Sequence, residues 1–429
     1  MAGGKGTRLA ALTKDEIPKP MVPVAGKPLL LWQVERLKEN GITDIIMVIG
    51  HLGDKIREYF GDGEKFGVAI RYFEETEPLG TAGSFYYLKD MIHGDRFVMM
   101  SGDLFFDIDF QRMINFHEEK GAVATLFVHP NGHPFDSDLL VLDHDDKITA
   151  FDSKHNVRNY WYENCVNAGI FVFEKKICDY VPEPVKRNLE NDVIKGMLEA
   201  GEPIYGYCSP EYVKDVGTVE RVNQTLADIE RGVIAGKCLK NKQRCIFMDR
   251  DGTINQYKGL VYKEEDFTLE DCAVDAIRKI NQSGRLGIVI TNQPVVARGL
   301  CEIEDVENIH KKMETLLGKE GVFLDDVFYC PHHPDKGYPE ENPAYKTPCE
   351  CRKPKTGMIQ KAAERYNIDL AGSWMIGDTT MDIQTGINAG MRTALVQTGE
   401  AGNDKKYDVK PDLVCRDLLD AVEKILQVD

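Results

Sequence analysis

The sequence predicts an α/β protein of two doubly wound domains, each a mostly parallel sheet covered by helices in three layers. Three observations carry that expectation. Short apolar runs alternate with helix-like stretches along the chain, as βαβ units require. The alternation lapses once, in the basic, Gly-containing stretch 231–244, and then restarts with different motifs. The length, 429 residues, suits two or three cores at about 150 residues each.

In the first half, the runs 45–49, 97–100, 123–128 and 170–173 read as strands bounded by Gly or polar residues. Leu29–Glu39 and Phe110–Glu119 read as helices from their apolar spacing. In the second half, Cys245–Met248 opens a new strand series, followed by 286–290, 327–329, 374–376 and 393–396. These elements place the first domain at 1–238 and the second at 243–429.

Hydrophobic residues make up 42% and charged residues 29%, the balance of a globular protein. The 53 Lys and Arg against 70 Asp and Glu leave a net charge of −17. That excess argues against nucleic acid or an anionic membrane as partner, since both need a basic face. It leaves room for small phosphorylated substrates held by a few local cations. No apolar run approaches the ~18 residues of a membrane span, and no charged-then-apolar leader opens the chain. A cytoplasmic location is the expectation. Of 11 cysteines, eight are scattered beside apolar residues and read as small buried hydrophobes.

The chain opens Ala2-Gly3-Gly4-Lys5-Gly6-Thr7-Arg8-Leu9. Glycines so spaced let backbone N–H groups close on a polyphosphate, with Lys5 and Arg8 adding charge. No Gly-Lys-Ser/Thr follows as a Walker loop requires, so on its own the segment reads better as a Gly-rich flexible terminus. Pro18-Lys19-Pro20-Met21, Gly26-Lys27-Pro28-Leu29, Leu79-Gly80-Thr81-Ala82-Gly83 and Ser101-Gly102-Asp103 then follow in order. Over about 1–235 this series resembles the sugar-1-phosphate nucleotidyltransferase family, the mannose-1-phosphate and heptose-1-phosphate guanylyltransferases above all. The resemblance implies a Rossmann-like domain in which a sugar 1-phosphate attacks the α-phosphorus of an NTP, with GTP favoured. It puts the triphosphate on Gly3, Gly4, Gly6, Thr7 and Arg8, with Arg8 and Lys19 as catalytic cations and Lys19 at the α-phosphate. Gly80 and Thr81 would line the base pocket, Asn167 and Gly169 would meet the sugar, and Lys154 its phosphate. Mg²⁺ would sit on Asp103 and on Asp215 of Asp215-Val216-Gly217-Thr218, although an Asp after a strand also serves as a helix cap. The family leads into its Gly-rich loop from an apolar central strand. Met1 stands almost where that strand would end, so the expectation is a domain lacking its first strand and a true start upstream.

Phe247-Met248-Asp249-Arg250-Asp251-Gly252-Thr253-Ile254-Asn255 sets two carboxylates just past a strand, two residues apart. One can act as nucleophile if its target is polarised, while the other protonates a leaving oxygen and then activates water. The segment alone also fits a calcium-type turn. Ile290-Thr291-Asn292-Gln293, Arg352-Lys353-Pro354-Lys355 and Ile376-Gly377-Asp378-Thr379-Thr380-Met381-Asp382 follow in order. The set resembles the haloacid dehalogenase phosphatase superfamily over 244–429. It implies Asp249 as nucleophile, Asp251 as general acid and base, and Thr291 and Lys353 on the phosphoryl group. Mg²⁺ would be held by Asp249, Asp378 and the backbone oxygen of Asp251. Asn292, Gln293, Arg298 and Arg352 would bind substrate, although Pro294-Val295 stands where the family has Ser-Gly.

Cys330-Pro331-His332 and Cys349-Glu350-Cys351 offer three thiolates and one imidazole, the donor set of a closed structural Zn²⁺ site. His333 is a second candidate for the imidazole, and the family spacing favours His332. The polar, Pro-rich loop between them needs such a clip to order it. This zinc loop is found in the heptose 1,7-bisphosphate and histidinol-phosphate phosphatases, and its length resembles the heptose type.

Together the halves imply consecutive steps. A phosphatase takes the 7-phosphate from D-glycero-D-manno-heptose 1,7-bisphosphate, and a nucleotidyltransferase activates the heptose 1-phosphate left behind. Two other readings stand beside it: a phosphatase with an idle nucleotide-binding scaffold, and a histidinol-phosphate phosphatase fused to a mannose-1-phosphate guanylyltransferase. The oligomeric state is open.

Overall fold

The computed structural model describes residues 1, 9, 13, 16–335, 337 and 340–428. Gly3, Gly4, Gly6, Thr7 and Arg8 lie outside them. The described chain forms two compact units. The first comprises Met1–His129, Leu140–Asp152 and Asn167–Lys240; the second comprises Pro130–Leu139, Ser153–Val166 and Asn241–Asp429.

The strands of the first half are β1 (Pro23–Val24), β2 (Lys27–Pro28), β3 (Asp44–Ile49), β4 (Ala69–Glu74), β5 (Arg96–Met100) and β6 (Leu104–Asp107). After them come β7 (Ala124–His129), β8 (Leu139–Leu142), β9 (Ile148–Asp152), β10 (Val166–Glu174), β11 (Ile204–Cys208) and β12 (Tyr212–Asp215). The main sheet runs β11-β7-β10-β8-β9, with β5 also on β10. It is mixed, which corrects the mostly parallel expectation: β11 and β7 are parallel, but β5 and β10 are antiparallel. The apolar runs fix which residues form strands, but say nothing of their relative direction. β3 pairs in parallel with β4, and β6 pairs antiparallel with β12. Helix α1 (Leu29–Glu39) buries Leu29, Leu30, Gln33, Val34 and Leu37 on one stripe.

Between β3 and β5 lies a cavity of about 460 Å³ lined by Leu30, Val34, Ile46, Val48, Val98 and Met100, among others. Met1 stands at its end: its amino group donates to the Met100 carbonyl at 2.9 Å, and its carbonyl accepts from the Gly102 N–H at 2.7 Å. That is the hydrogen-bond pattern of a parallel strand pair.

The second unit holds β13 (Cys245–Met248), β14 (Leu286–Asn292), β15 (Asp326–Cys330), β16 (Trp374–Gly377), β17 (Arg392–Val396) and β18 (Leu413–Cys415). They form one sheet in the order β15-β14-β13-β16-β17-β18, every pair parallel. Ile246 and Met248 join a core with helices α5 (Ala273–Ser283), α6 (Ile303–Lys319) and α9 (Leu418–Val428). Cys245 and Phe247 point to the other face and are also fully buried. Such burial on both faces is what a helix-covered parallel sheet requires. The chain winds one way from β13 to β15 and the other way from β16 to β18, so the switch point lies beside β13, where α/β sites form.

The stretches 130–139 and 153–166 belong to this second unit, so the division is not the single cut expected between 238 and 243. Specific bonds hold them there. The Tyr162 N–H donates to Thr315 Oγ1, which donates back to the Tyr162 carbonyl, both at 3.0 Å, and the Asn164 N–H donates to Glu314 at 3.1 Å. A run of polar residues between strands gives no hint in the sequence of which sheet it will join. Among the described residues, no helix is long and apolar enough to cross a membrane.

Candidate functional site

In the second unit, four strand ends converge. Asp249 follows β13, Thr291 and Asn292 close β14, Cys330 closes β15, and Asp378 follows β16. Lys353 is 3% exposed and lies 2.8 Å from Asp249 and 2.6 Å from Asp382. Burial opposes its charge, yet the carboxylates of Asp249 and Asp382 hold its pKa above the ordinary lysine value. Asp382 sits in the first turn of α8 (Thr380–Asn388), where it and Thr379 cap the helix reciprocally. Asn292 brackets the Lys353 backbone, accepting its N–H at 3.0 Å and donating to its carbonyl.

One oxygen each from Asp249, Asp378 and Asp382 lies within 4.8 Å of the others. Burial, with opposition from Lys353 and support from Asp382 and Asp251, lifts Asp249 to about 6. Burial, with the carboxylates of Asp382 and Asp249, lifts Asp378 to about 8. Asp378 Oδ2 accepts the Glu400 N–H at 2.7 Å, while buried Oδ1 has no hydrogen-bond partner among the described residues. An orphaned carboxylate oxygen amid repelling carboxylates fits a divalent cation. Gly252 is required beside it: φ is +80°, and a Cβ would lie 2.4 Å from Asp378 Oδ2.

Asp251 turns its carboxylate to Arg250, Asn255 and Gln293. Gln293 also donates to Thr291 Oγ1 at 2.9 Å. Arg298 and Arg352 repel one another electrostatically, and burial with that repulsion lowers the Arg352 pKa. Arg352 donates to the His332 carbonyl at 3.0 Å.

The thiols of Cys330, Cys349 and Cys351 stand 3.2–3.5 Å apart, and His332 Nδ1 lies 3.5 Å from Cys351. Hydrogen bonding with Cys330, and then with Cys349 and His332, pulls the Cys351 thiol down to about 5. Four soft donors within 4.8 Å fit a metal ion. The imidazole grouped with the three thiols is that of His332, while His333 Nδ1 accepts the Asp335 N–H at 3.1 Å. The register pairing Asn292 with Cys330 ties this cluster to the strand end carrying Thr291.

In the first unit, β6 and β12 bring Asp103 and Asp215 together: the Val216 N–H donates to the Asp103 carbonyl at 2.9 Å, and Asp215 faces Leu104. Lys19 pairs with Asp103, whose carboxyl also accepts from Ser101 at 2.6 Å. Burial pushes the Asp103 pKa up, but Lys19 outweighs it and the net shift is downward. A Cβ at Gly217 would lie 3.2 Å from Lys19 Nζ and 2.7 Å from Asp215 Oδ1, so both groups press on that glycine. Asp215 Oδ2 pairs with Arg221 at 2.8 Å, while Oδ1 is buried without a partner among the described residues. An unsatisfied oxygen beside a second carboxylate fits a cation here too.

Asn167 accepts the Gly169 N–H, and the Gly169 carbonyl accepts the Ser101 N–H, next to this pair. Gly80 packs on the Arg187 carbonyl, 2.3 Å from where a Cβ would stand, and Thr81 Oγ1 accepts the Leu189 N–H. Lys154 belongs to the second unit, with its ammonium 3.8 Å from Asp138.

A family described as Nucleotidyl transferase matches residues 1–232, over half of the 429-residue chain. A second, HAD-hydrolase-like, matches 350–421. The D-glycero-beta-D-manno-heptose-1,7-bisphosphate 7-phosphatase of Haemophilus ducreyi is 37% identical over 182 residues, covering 42% of this chain and 97% of that protein. The chain belongs to both families, nucleotidyl transferase and HAD-like heptose bisphosphate phosphatase. On the nucleotidyl transferase side, the mannose-1-phosphate guanylyltransferase of Mycobacterium tuberculosis is 32% identical over 241 residues, 56% of this chain and 66% of that protein. The UTP–glucose-1-phosphate uridylyltransferase of Synechocystis is 32% identical over 256 residues, 57% of this chain and 64% of that protein. This chain therefore spans just under two thirds of the length of each of these two.

Two residues of the sites escaped the sequence reading. In the HAD-like half, Asp382 stands in a motif already singled out, and its helix position, four residues after Asp378, was the available signal. In the nucleotidyl transferase half, Gln33 donates to the carbonyls of Ser101 and Leu104 and so braces the turn carrying Asp103. Its signal was a lone uncharged polar residue on the apolar stripe of α1.

Proposed function

We propose that the chain is a bifunctional enzyme of nucleotide-activated heptose synthesis. Its C-terminal half hydrolyses the 7-phosphate of D-glycero-D-manno-heptose 1,7-bisphosphate. Its N-terminal half transfers a nucleotidyl group, from GTP, to the heptose 1-phosphate and releases pyrophosphate. The observation that carries this reading is the fusion itself: one chain joins a heptose bisphosphate phosphatase relative to a nucleotidyl transferase, and the product of the first reaction is the substrate class of the second.

In the phosphatase, Asp249 attacks the phosphorus and forms an aspartyl phosphate as the sugar alkoxide departs. Asp251 gives that alkoxide its proton, then takes one from the water that cleaves the acyl phosphate. Lys353 and Thr291 hold the phosphoryl oxygens, and Arg298 and Arg352 receive the rest of the anionic substrate. Mg²⁺ bound by Asp249 and Asp378 would neutralise the phosphoryl charge. Zn²⁺ on Cys330, His332, Cys349 and Cys351 would keep Arg352 and Lys353 in place. In the transferase, Lys19 and Arg8 balance the charge of the triphosphate, and Asp103 and Asp215 would hold a second Mg²⁺. Gly3, Gly4, Gly6 and Thr7 cradle the phosphates, Gly80 and Thr81 meet the base, and Asn167 and Gly169 meet the sugar. Lys154 reaches the sugar phosphate only if it leaves Asp138. The reaction is cytoplasmic, where GTP and sugar phosphates are found.

The test is a coupled assay. Heptose bisphosphate of either 1-anomer, GTP and Mg²⁺ should yield phosphate, pyrophosphate and a nucleotide-heptose identified by mass. Phosphate release without pyrophosphate release would favour the scaffold reading, for which the cavity between β3 and β5 is the motivating observation. Faster release from histidinol phosphate than from the heptose bisphosphate would overturn the substrate.

A further inference from the structure

Arg250, between the two reacting aspartates in sequence, is fully buried. A guanidinium in that position costs several kcal/mol in lost hydration unless its donors are all used. Here they are shared between two partners. Nε and Nη2 clamp Asp251, at 3.2 and 2.8 Å to Oδ1 and 2.8 Å to Oδ2. Nη1 reaches His310 Nε2 at 3.2 Å. Neighbours in sequence seldom face one another like this. The turn permits it because the Arg250 carbonyl accepts the N–H groups of Thr253, Ile254 and Asn255, which coils the chain back on itself.

His310 comes from α6, is 7% exposed, and stacks its ring edge-to-face on Tyr329 with centroids 5.2 Å apart. Its Nε2 can serve Arg250 only as an acceptor, so the imidazole is neutral there with its proton on Nδ1. Burial and the adjacent guanidinium both favour that form. The remaining donors to Asp251 are single ones, Asn255 to Oδ1 at 3.0 Å and Gln293 to Oδ2 at 2.8 Å. Each leaves the carboxylate free to twist, whereas a planar fork fixes its plane.

We propose that Arg250, anchored from α6 by His310, is a positioning residue that sets the orientation of the Asp251 carboxylate for proton transfer to the departing sugar oxygen. This rests on the reading of Asp251 as the general acid. A positioning role predicts a loss that depends on the leaving group. A sugar alkoxide needs its proton as the P–O bond breaks, while p-nitrophenolate leaves without one.

The experiment compares, in the full-length protein with Mg²⁺, the rate of leaving-group release within a single turnover, before water cleaves the aspartyl phosphate, for heptose 1,7-bisphosphate and p-nitrophenyl phosphate. His310→Leu should lower that single-turnover rate on the sugar about tenfold and on the aryl ester less than about twofold, a fraction of the span a general acid supplies. His310→Gln, which restores an acceptor to Nη1, should recover most of the sugar rate. Equal losses on both substrates, or no loss on either, would overturn the proposal. Should His310→Leu not fold, Arg250→Lys keeps a buried cation but cannot clamp both oxygens, and the same comparison applies to it. Asp251→Asn separates the two levels. If its loss does not depend on the leaving group, the general-acid reading fails. If it does and the His310 and Arg250 variants show none, only the positioning role fails.

Discussion

Lys353 is held at the junction of three needs: it neutralises Asp249, it is anchored by Asp382, and its backbone is gripped by Asn292. Removing a cation from between two buried carboxylates leaves both uncompensated, which costs about 3–5 kcal/mol. Lys353→Met should therefore abolish phosphatase turnover and lower the melting transition of the second unit, with Mg²⁺ restoring part of the stability and none of the turnover. Calorimetry with and without the ion reads both. Glu211 poses the opposite case. It is 2% exposed and accepts the N–H groups of Asp109 and Leu239 and the Ser209 hydroxyl. Burial outweighs those donors and pushes its pKa up to about 7. A carboxyl raised in the folded state stabilises that state while protonated. Its contribution is complete below the ordinary value of about 4.5 and is lost as pH rises through 7, by up to about 3 kcal/mol. Glu211→Gln should thus raise the melting temperature of the first unit more at pH 8 than at pH 5. A shift that is the same at both pH values would refute the assignment.

At the scale of elements, the cavity between β3 and β5 is the outstanding feature of the first unit. Among the described residues, each strand is paired on one side only, β3 to β4 and β5 to β10, and their facing edges have no strand partner. The Met1 amino group, hydrogen-bonded to Met100, has its pKa lowered to about 6 by desolvation. A peptide N–H at that point would make the same bond without burying a charge. An extended segment of about six apolar residues joined ahead of Met1 should enter beside β5 as a parallel strand. It would stabilise the first unit by several kcal/mol, the order of a refilled core cavity, and strengthen GTP binding. An unchanged melting curve and an unchanged GTP titration would count against it. Several elements were legible, because apolar spacing is dictated by burial: the strand Cys245–Met248 and the helices Leu29–Glu39 and Phe110–Glu119 form as read. So were the carboxylates at strand ends, since a parallel sheet collects them at one edge. What was not legible depends on partners distant in sequence. The antiparallel pairing of β5 with β10 is one case, and the place of 130–139 and 153–166 with α6 is another. Gln33 is a third, since its function appears only once the turn at 101–104 lies against α1.

At the scale of the molecule, two families share one chain, and the −17 charge is spent partly inside its sites. Asp103 and Asp215 stand in one unit, and Asp249, Asp378 and Asp382 in the other. Each set holds an oxygen without a hydrogen-bond partner among the described residues, which a cation would satisfy. The sets share no residue, so the two reactions can be cut apart by mutation even though they act in sequence. Asp249→Asn removes the nucleophile and keeps its shape, and should lower phosphate release at least about 10³-fold. With heptose 1,7-bisphosphate and GTP as substrates, this variant should make no nucleotide-heptose. Given heptose 1-phosphate and GTP, it should release pyrophosphate at the wild-type rate. Asp103→Asn should show the reverse pattern, with full phosphate release and no pyrophosphate from either substrate. Nucleotide-heptose from the bisphosphate in the Asp249 variant would mean that the transferase accepts the sugar before the phosphatase acts, and the order of steps inferred from the fusion would be wrong. Mass spectrometry decides between them, because a product retaining the second phosphate is about 80 Da heavier.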